Sequence, residues 1–124
     1  MFLNIIGPEP SITLAVEKDY PFAHEAGVFI REQDAVYVTS NQFQPEGSTE
    51  KTIKISKVSR QGDGKWGSEE VPTDVPMGNG GINYQDDLLL CAQGTKAEPG
   101  GLVRLKPNPP VSYTHLTLPT NREV

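Results

Sequence analysis

Short apolar runs separated by polar turns dominate this chain. Residues 28–30 and 35–39 flank the polar stretch Arg31-Glu32-Gln33-Asp34, which predicts a hairpin with apolar, β-branched arms. Residues 51–58 set Ile53 and Ile55 against lysines, one face buried and one solvated, as in an outer strand. Gln61-Gly62-Asp63-Gly64 is a strong turn signal, and residues 66–71 return as a fourth strand. Pro72-Thr73-Asp74-Val75-Pro76 then crosses to a second unit. That unit opens with a glycine-loosened loop ending in Asn79. A short strand from Ile82, a polar turn at Gln85-Asp86-Asp87 and a buried strand from Leu88 follow, and residues 102–105 make one more strand. Nearer the amino terminus, residues 2–6 predict a lone strand closed by Gly7-Pro8-Glu9-Pro10. Alternation of Ile12, Leu14 and Val16 predicts an edge strand within residues 11–23.

The second unit repeats the first. Setting Glu25 against Asn79 brings Ala26 onto Gly80, Gly27 onto Gly81 and Val28 onto Ile82, with Ala35-Val36-Tyr37-Val38 near Leu88-Leu89-Leu90-Cys91. In this alignment the turns differ in length by one residue, and an oxygen-bearing side chain opens the first strand of each copy. A hairpin recurring after about fifty residues has the period of a propeller blade. The expected fold is therefore all-β, a fragment of about one and a half to two blades. Residues 1–110 carry this pattern. Residues 111–124, VSYTHLTLPTNREV, stand outside it and read as a foreign or disordered tail, which would make the chain part of a longer protein.

Composition agrees with short strands. The apolar fraction is 35%, and twelve glycines and eleven prolines supply turns. A net charge of −5 without a basic run argues against a nucleic-acid partner. No apolar run approaches the length of a membrane span, and the amino terminus lacks a basic region before its short apolar stretch. A cytoplasmic location is the expectation. The single cysteine, Cys91, lies in an apolar run and is expected to be a buried structural thiol.

Four short motifs resemble the gluconolactonase and regucalcin-like lactonases, and most nearly their fungal lactonohydrolase branch. They are Phe22-Ala23-His24-Glu25-Ala26, Val38-Thr39-Ser40-Asn41, Asn79-Gly80-Gly81 and Leu88-Leu89-Leu90-Cys91-Ala92-Gln93-Gly94. The resemblance implies a six-bladed β-propeller whose channel holds one divalent ion, usually calcium. It implies that Glu25 is a metal-ligand carboxylate and that Asn79 lies beside the ion and contacts a small-molecule lactone. Some relatives place an arginine two residues before that asparagine, where this chain has Met77. The other ligands and the water-activating carboxylate would lie on later blades, so the catalytic residues are not identified within this chain.

The chemistry is coherent without the family. Calcium takes oxygen ligands, which glutamate and asparagine provide, and such an ion polarises a lactone carbonyl for attack by water. Each residue also has a plainer reading. Glu25 can be a solvated loop charge, and Asn79 a turn residue suited to left-handed backbone angles. His24 is a possible hydrogen-bond partner behind the ligand, or a structural loop histidine. Asp86-Asp87 sits in a turn and reads as solvated. Gly78-Asn79-Gly80-Gly81 is no phosphate loop, because no helix follows it. The alternative function is a non-catalytic propeller or small β-domain acting as a binding module.

Overall fold

The structure, a computed structural model, describes residues 2–107 and 113–116. A five-residue helix, α1 (Phe2–Ile6), comes first. The strands are β1 (Glu25–Ile30), β2 (Ala35–Thr39), β3 (Ile55–Arg60), β4 (Trp66–Glu70), β5 (Gly78–Tyr84), β6 (Asp87–Ala92), β7 (Gly101–Leu105) and β8 (Tyr113–Leu116). They form two four-stranded antiparallel sheets, each a meander in chain order, β1-β2-β3-β4 and β5-β6-β7-β8. The first meander is the unit expected between residues 28 and 71. In the second, the expected strands are joined by β8, which pairs along β7 from within the segment set apart as a tail. Residues 108–112 and 117–124 lie outside the described residues.

The pairing registers of the two hairpins coincide at a constant offset. Glu25 pairs with Thr39 as Gly78 pairs with Ala92; Val28 with Tyr37 as Gly81 with Leu90; Ile30 with Ala35 as Asn83 with Leu88. Each residue corresponds to the one 53 positions later, through both strands and the turn between them. The expected one-residue difference in turn length is absent. Both first strands carry a bulge at the same place, Ala26-Gly27 in β1 and Asn79-Gly80 in β5. Gly27 (φ 59°) and Gly80 (φ 69°) are left-handed at matching positions. Glu25 thus corresponds to Gly78, and Asn79 to Ala26, which corrects the alignment of Glu25 with Asn79. Hydrophobicity misplaced it by one residue: Val28 is buried, but its counterpart is Gly81, while Ile82 points outward at 63% exposure. Leu90 fills the space over Gly81, where an added Cβ would fall 2.6 Å from Leu90 Cδ2.

Residues directly opposite in an antiparallel pair share a face. Val28, Ile30, Ala35, Tyr37 and Thr39 therefore line one face of the first sheet, and all are buried. Leu88, Leu90 and Ala92, with Val103 and Leu105 from β7, line the corresponding face of the second. Apart from Thr39, these side chains join Ile55, Val71 and Val75 in one core cluster. The meanders bury corresponding faces. Along the seam β1 packs on β5, and the Asn83 amide donates to the Phe29 carbonyl at 2.6 Å.

Three expectations fail for physical reasons. The apolar residues 2–6 form a helical turn, since no strand is available to pair with them. Residues 11–23 make no strand; Ile12 is fully exposed and Leu14 largely so, because alternation without a neighbouring edge stabilises nothing. Cys91 is exposed rather than buried: period 2 turns Leu88, Leu90 and Ala92 inward and sends Leu89 and Cys91 to the other face.

Side-chain clamps finish the outer strands. Lys54 bonds Glu70 at 2.9 Å and lies over the Tyr20 and Phe43 rings, tying the incoming chain to the first sheet. The hydrogen bond to Glu70 raises the Lys54 pKa. On the outermost pair, the Arg60 guanidinium stacks over Trp66 at 4.8 Å. Inside, the Tyr37 hydroxyl donates to Gln33 Oε1 at 2.6 Å. Burial pushes this phenol up to about 12, Glu69 adds to the effect and the Gln33 bond opposes it.

Candidate functional site

Glu25 and the backbone of Gly80, the residue after Asn79, lie together at the starts of β1 and β5. Glu25 opens β1 immediately before the bulge, and the His24 N–H bonds back to the Thr39 carbonyl at 2.8 Å. Ala26 holds φ 75°, a left-handed conformation that costs a side-chain-bearing residue on the order of 1–3 kcal/mol. Across the seam Gly80 presents bare backbone. Glu25 Oε2 lies 3.2 Å from where a Cβ on Gly80 would stand. The residue before Gly80 is Asn79, so the structure sets Glu25 beside the Asn79-Gly80 segment although Glu25 and Asn79 are not repeat equivalents.

A row of three residues crosses the first sheet here, Glu25 pairing with Thr39 and Thr39 with Ile55. The start of β5 runs along it. Gly78 faces Ile55, whose Cδ1 lies 3.8 Å from an added Cβ, while Gly80 faces Glu25. Thr39 and Asn79 are the middle members of the two rows. Thr39 is fully buried, and its hydroxyl has no hydrogen-bond partner among the described residues. A buried, unpaired hydroxyl costs roughly 1–3 kcal/mol, so it calls for a reason.

His24 stands on the solvent side, its Nε2 3.8 Å from Glu25 Oε1, with both side chains about half exposed (48% and 45%). The two border an open concavity of about 310 Å³, lined also by Ala23, Ala26, Gly27 and Val38. Among the described residues the carboxylate is about half open to solvent. Met77 is left-handed at φ 59° in the loop before β5.

The groups shown at this corner are the Glu25 carboxylate and, 3.8 Å from it, the His24 imidazole, with the orphaned Thr39 hydroxyl on the residue paired opposite Glu25. A carboxylate suits a hard cation such as calcium, but one carboxylate is far short of the six to eight oxygens calcium takes. Among the described residues, no three of His, Cys, Asp and Glu come together as a metal group. Asp87 is not available to such a site, because its carboxylate accepts from Arg104 Nε at 2.6 Å and is only 13% exposed. That corrects the solvated reading for Asp87, while Asp86 is exposed as expected.

The pairing of Thr39 opposite Glu25 is a property of the ladder register and was not read from the sequence. Among the described residues no helix is long and apolar enough to cross a membrane. Comparison with family models, with curated proteins and with solved structures gave no match.

Proposed function

We propose that this chain supplies the opening repeats of a divalent-cation-dependent lactone hydrolase, with Glu25 as a cation ligand and Asn79 as a substrate contact. The observation that carries the proposal is the Glu25 carboxylate set against bare Gly80 backbone beside Asn79, half open to solvent. A cation bound there, calcium by preference, supplies Lewis-acid polarisation of the lactone carbonyl. Glu25 contributes the charge that retains it. The Asn79 amide donates to the carbonyl oxygen as negative charge builds there during ring opening. His24 stands at the rim on the solvent side, its Nε2 3.8 Å from Glu25 Oε1. A carboxylate base must still activate water. Asp87, bound to Arg104, does not meet that need, so the base belongs to further repeats of a six-bladed ring. Calorimetric titration with calcium, alongside a lactone-opening assay on the full-length protein, tests the reading. Glu25→Gln should remove the calcium heat and most turnover while leaving the circular dichroism unchanged.

A second reading has an observation of its own. Successive blades of a ring stack front on back, whereas these meanders bury corresponding faces. That packing favours a small β-domain acting as a binding module, with Glu25 locking one sheet to the other. A monomer that melts cooperatively and neither binds calcium nor opens lactones supports this reading over the first.

A further inference from the structure

Residues 11–16, Ser11-Ile12-Thr13-Leu14-Ala15-Val16, have the composition of a strand and no sheet to join. Ile12 is 100% exposed and Leu14 73%, and the run holds no charge, glycine or proline. It belongs to no strand, and among the described residues no backbone hydrogen bond reaches it. Apolar side chains at every second position of an unpaired backbone are what a sheet edge takes up as an added strand.

β4 offers such an edge. It pairs with β3 alone, in unbroken register from Trp66 to Glu70 and without proline. Charges that would keep another strand away are neutralised: Glu70 is bonded to Lys54 at 2.9 Å and Glu69 to Lys57 at 3.5 Å. The Val71 N–H donates to the Ile55 carbonyl, so by alternation Ser68 and Glu70 turn their backbone groups to the open edge. Phe29, Val36 and Val58 pair in a row across the outer face of the first sheet, and the row ends at the small Ser68. Trp66, 39% exposed, lies on the same face.

Lys54 decides whose edge is used. It bonds Glu70 and lies over the Tyr20 ring, which fixes residue 20 beside the Glu70 end of β4. Laid along their own β4 from there, residues 11–16 would run parallel to it, whereas every pair in the sheet is antiparallel. Antiparallel pairing would carry Val16 to the Trp66 end, and residues 17–19 would have to double back along the same edge. A second copy removes the conflict. We propose that this chain self-associates by reciprocal exchange of residues 11–16, each copy adding them antiparallel to β4 of the other. Leu14 then stands opposite Ser68, Val16 opposite Trp66 and Ile12 opposite Glu70. In this register Leu14 extends the Phe29-Val36-Val58 row and Val16 covers Trp66. A two-fold axis between the copies sets the two exchanged segments side by side. Val16 is two strand spacings, about 10 Å, from its own β4, within the roughly 14 Å that four residues reach to Tyr20. The association draws on nothing at Glu25 and stands apart from the cation reading.

Sedimentation equilibrium of the full chain, from micromolar to near-millimolar concentration, should show a monomer–dimer equilibrium, with Trp66 emission shifting to the blue alongside it. Leu14→Pro removes a donor from the new ladder, and Leu14→Asp sets a charge on the apolar row. Either should weaken the dimer by at least about tenfold and abolish the emission shift. The monomer should melt as before, since Leu14 is exposed in it. Mixing Leu14→Cys with Ser68→Cys, both in a Cys91→Ser background, should give a disulfide-linked dimer on oxidation. A chain that stays monomeric throughout overturns the proposal. So does a dimer indifferent to both Leu14 variants, which would use another surface. A disulfide closed within one dilute chain carrying both new cysteines also overturns it, by placing residues 11–16 on their own edge.

Discussion

The side-chain amide of Asn83 donates to the main-chain carbonyl of Phe29 at 2.6 Å, joining β5 to β1, the first strands of their two sheets. The bond links residues 54 positions apart and reaches a carbonyl on the β5-facing side of β1. Replacing Asn83 with alanine should cost about 0.5–1.5 kcal/mol, the usual net value of such a bond. Urea denaturation checks this, and faster hydrogen exchange confined to β1 and β5 would locate the loss at the seam.

Ala26 holds its left-handed angle at a bulge whose next residue, Gly27, is also left-handed. Ala26→Gly should raise stability by up to about 1 kcal/mol, the relief of strain exceeding the entropy a further glycine adds to the unfolded chain. If the strained alanine also aims Glu25, the same variant binds calcium less well. Thermal melts with and without calcium read both effects.

Tyr37 governs the alkaline limb of stability. Its pKa is raised in the folded state from 10.0 to about 12, so the folded chain keeps a proton that the unfolded chain gives up first. The corresponding stability is fully present below pH 10 and is lost as pH rises toward 12. Lys54, also raised, adds loss of the same sign. Melting temperatures should fall over this window, and less steeply in Tyr37→Phe, which removes the titrating group.

Cys91 lies on the exposed face of β6. A thiol-specific reagent should label it in the native protein, without denaturant and in one-to-one stoichiometry, since the chain has a single cysteine. Protection until the protein is unfolded would place a covering element over that face.

Short apolar runs and polar turns made most of the fold legible. The arms of the first hairpin flank a polar stretch, the return at residues 66–70 follows the turn Gln61-Gly62-Asp63-Gly64, and the strands around Leu88 and Val103 are short apolar runs. The register of the repeat was not legible. Sequence matching rewards Val28 over Ile82, whereas the ladder sets Val28 with Gly81 because Leu90 occupies the volume a side chain would need. Glu25 and Asn79 were found as candidates through a mistaken equivalence, yet Glu25 lies against Gly80, the residue after Asn79, since β1 and β5 pack together across the seam. Thr39 was hidden because an unpaired hydroxyl is a property of its surroundings and leaves no mark in the sequence. The amino-terminal segments failed for lack of partners: alternation specifies a strand only where an edge exists to receive it.

The stacking of Arg60 on Trp66 bears on how this molecule can be observed. Trp66 is the single tryptophan, and it lies on β4 at the outer edge of the first sheet, 39% exposed and beneath a guanidinium. Its emission reports the solvent and charge at that margin, not the state of the interior. A denaturation curve followed at this fluorophore registers fraying of one border strand, while the seam between the sheets is spectroscopically silent. Tyrosine absorbance, with Tyr37 in the core, is the signal that tracks the body of the protein.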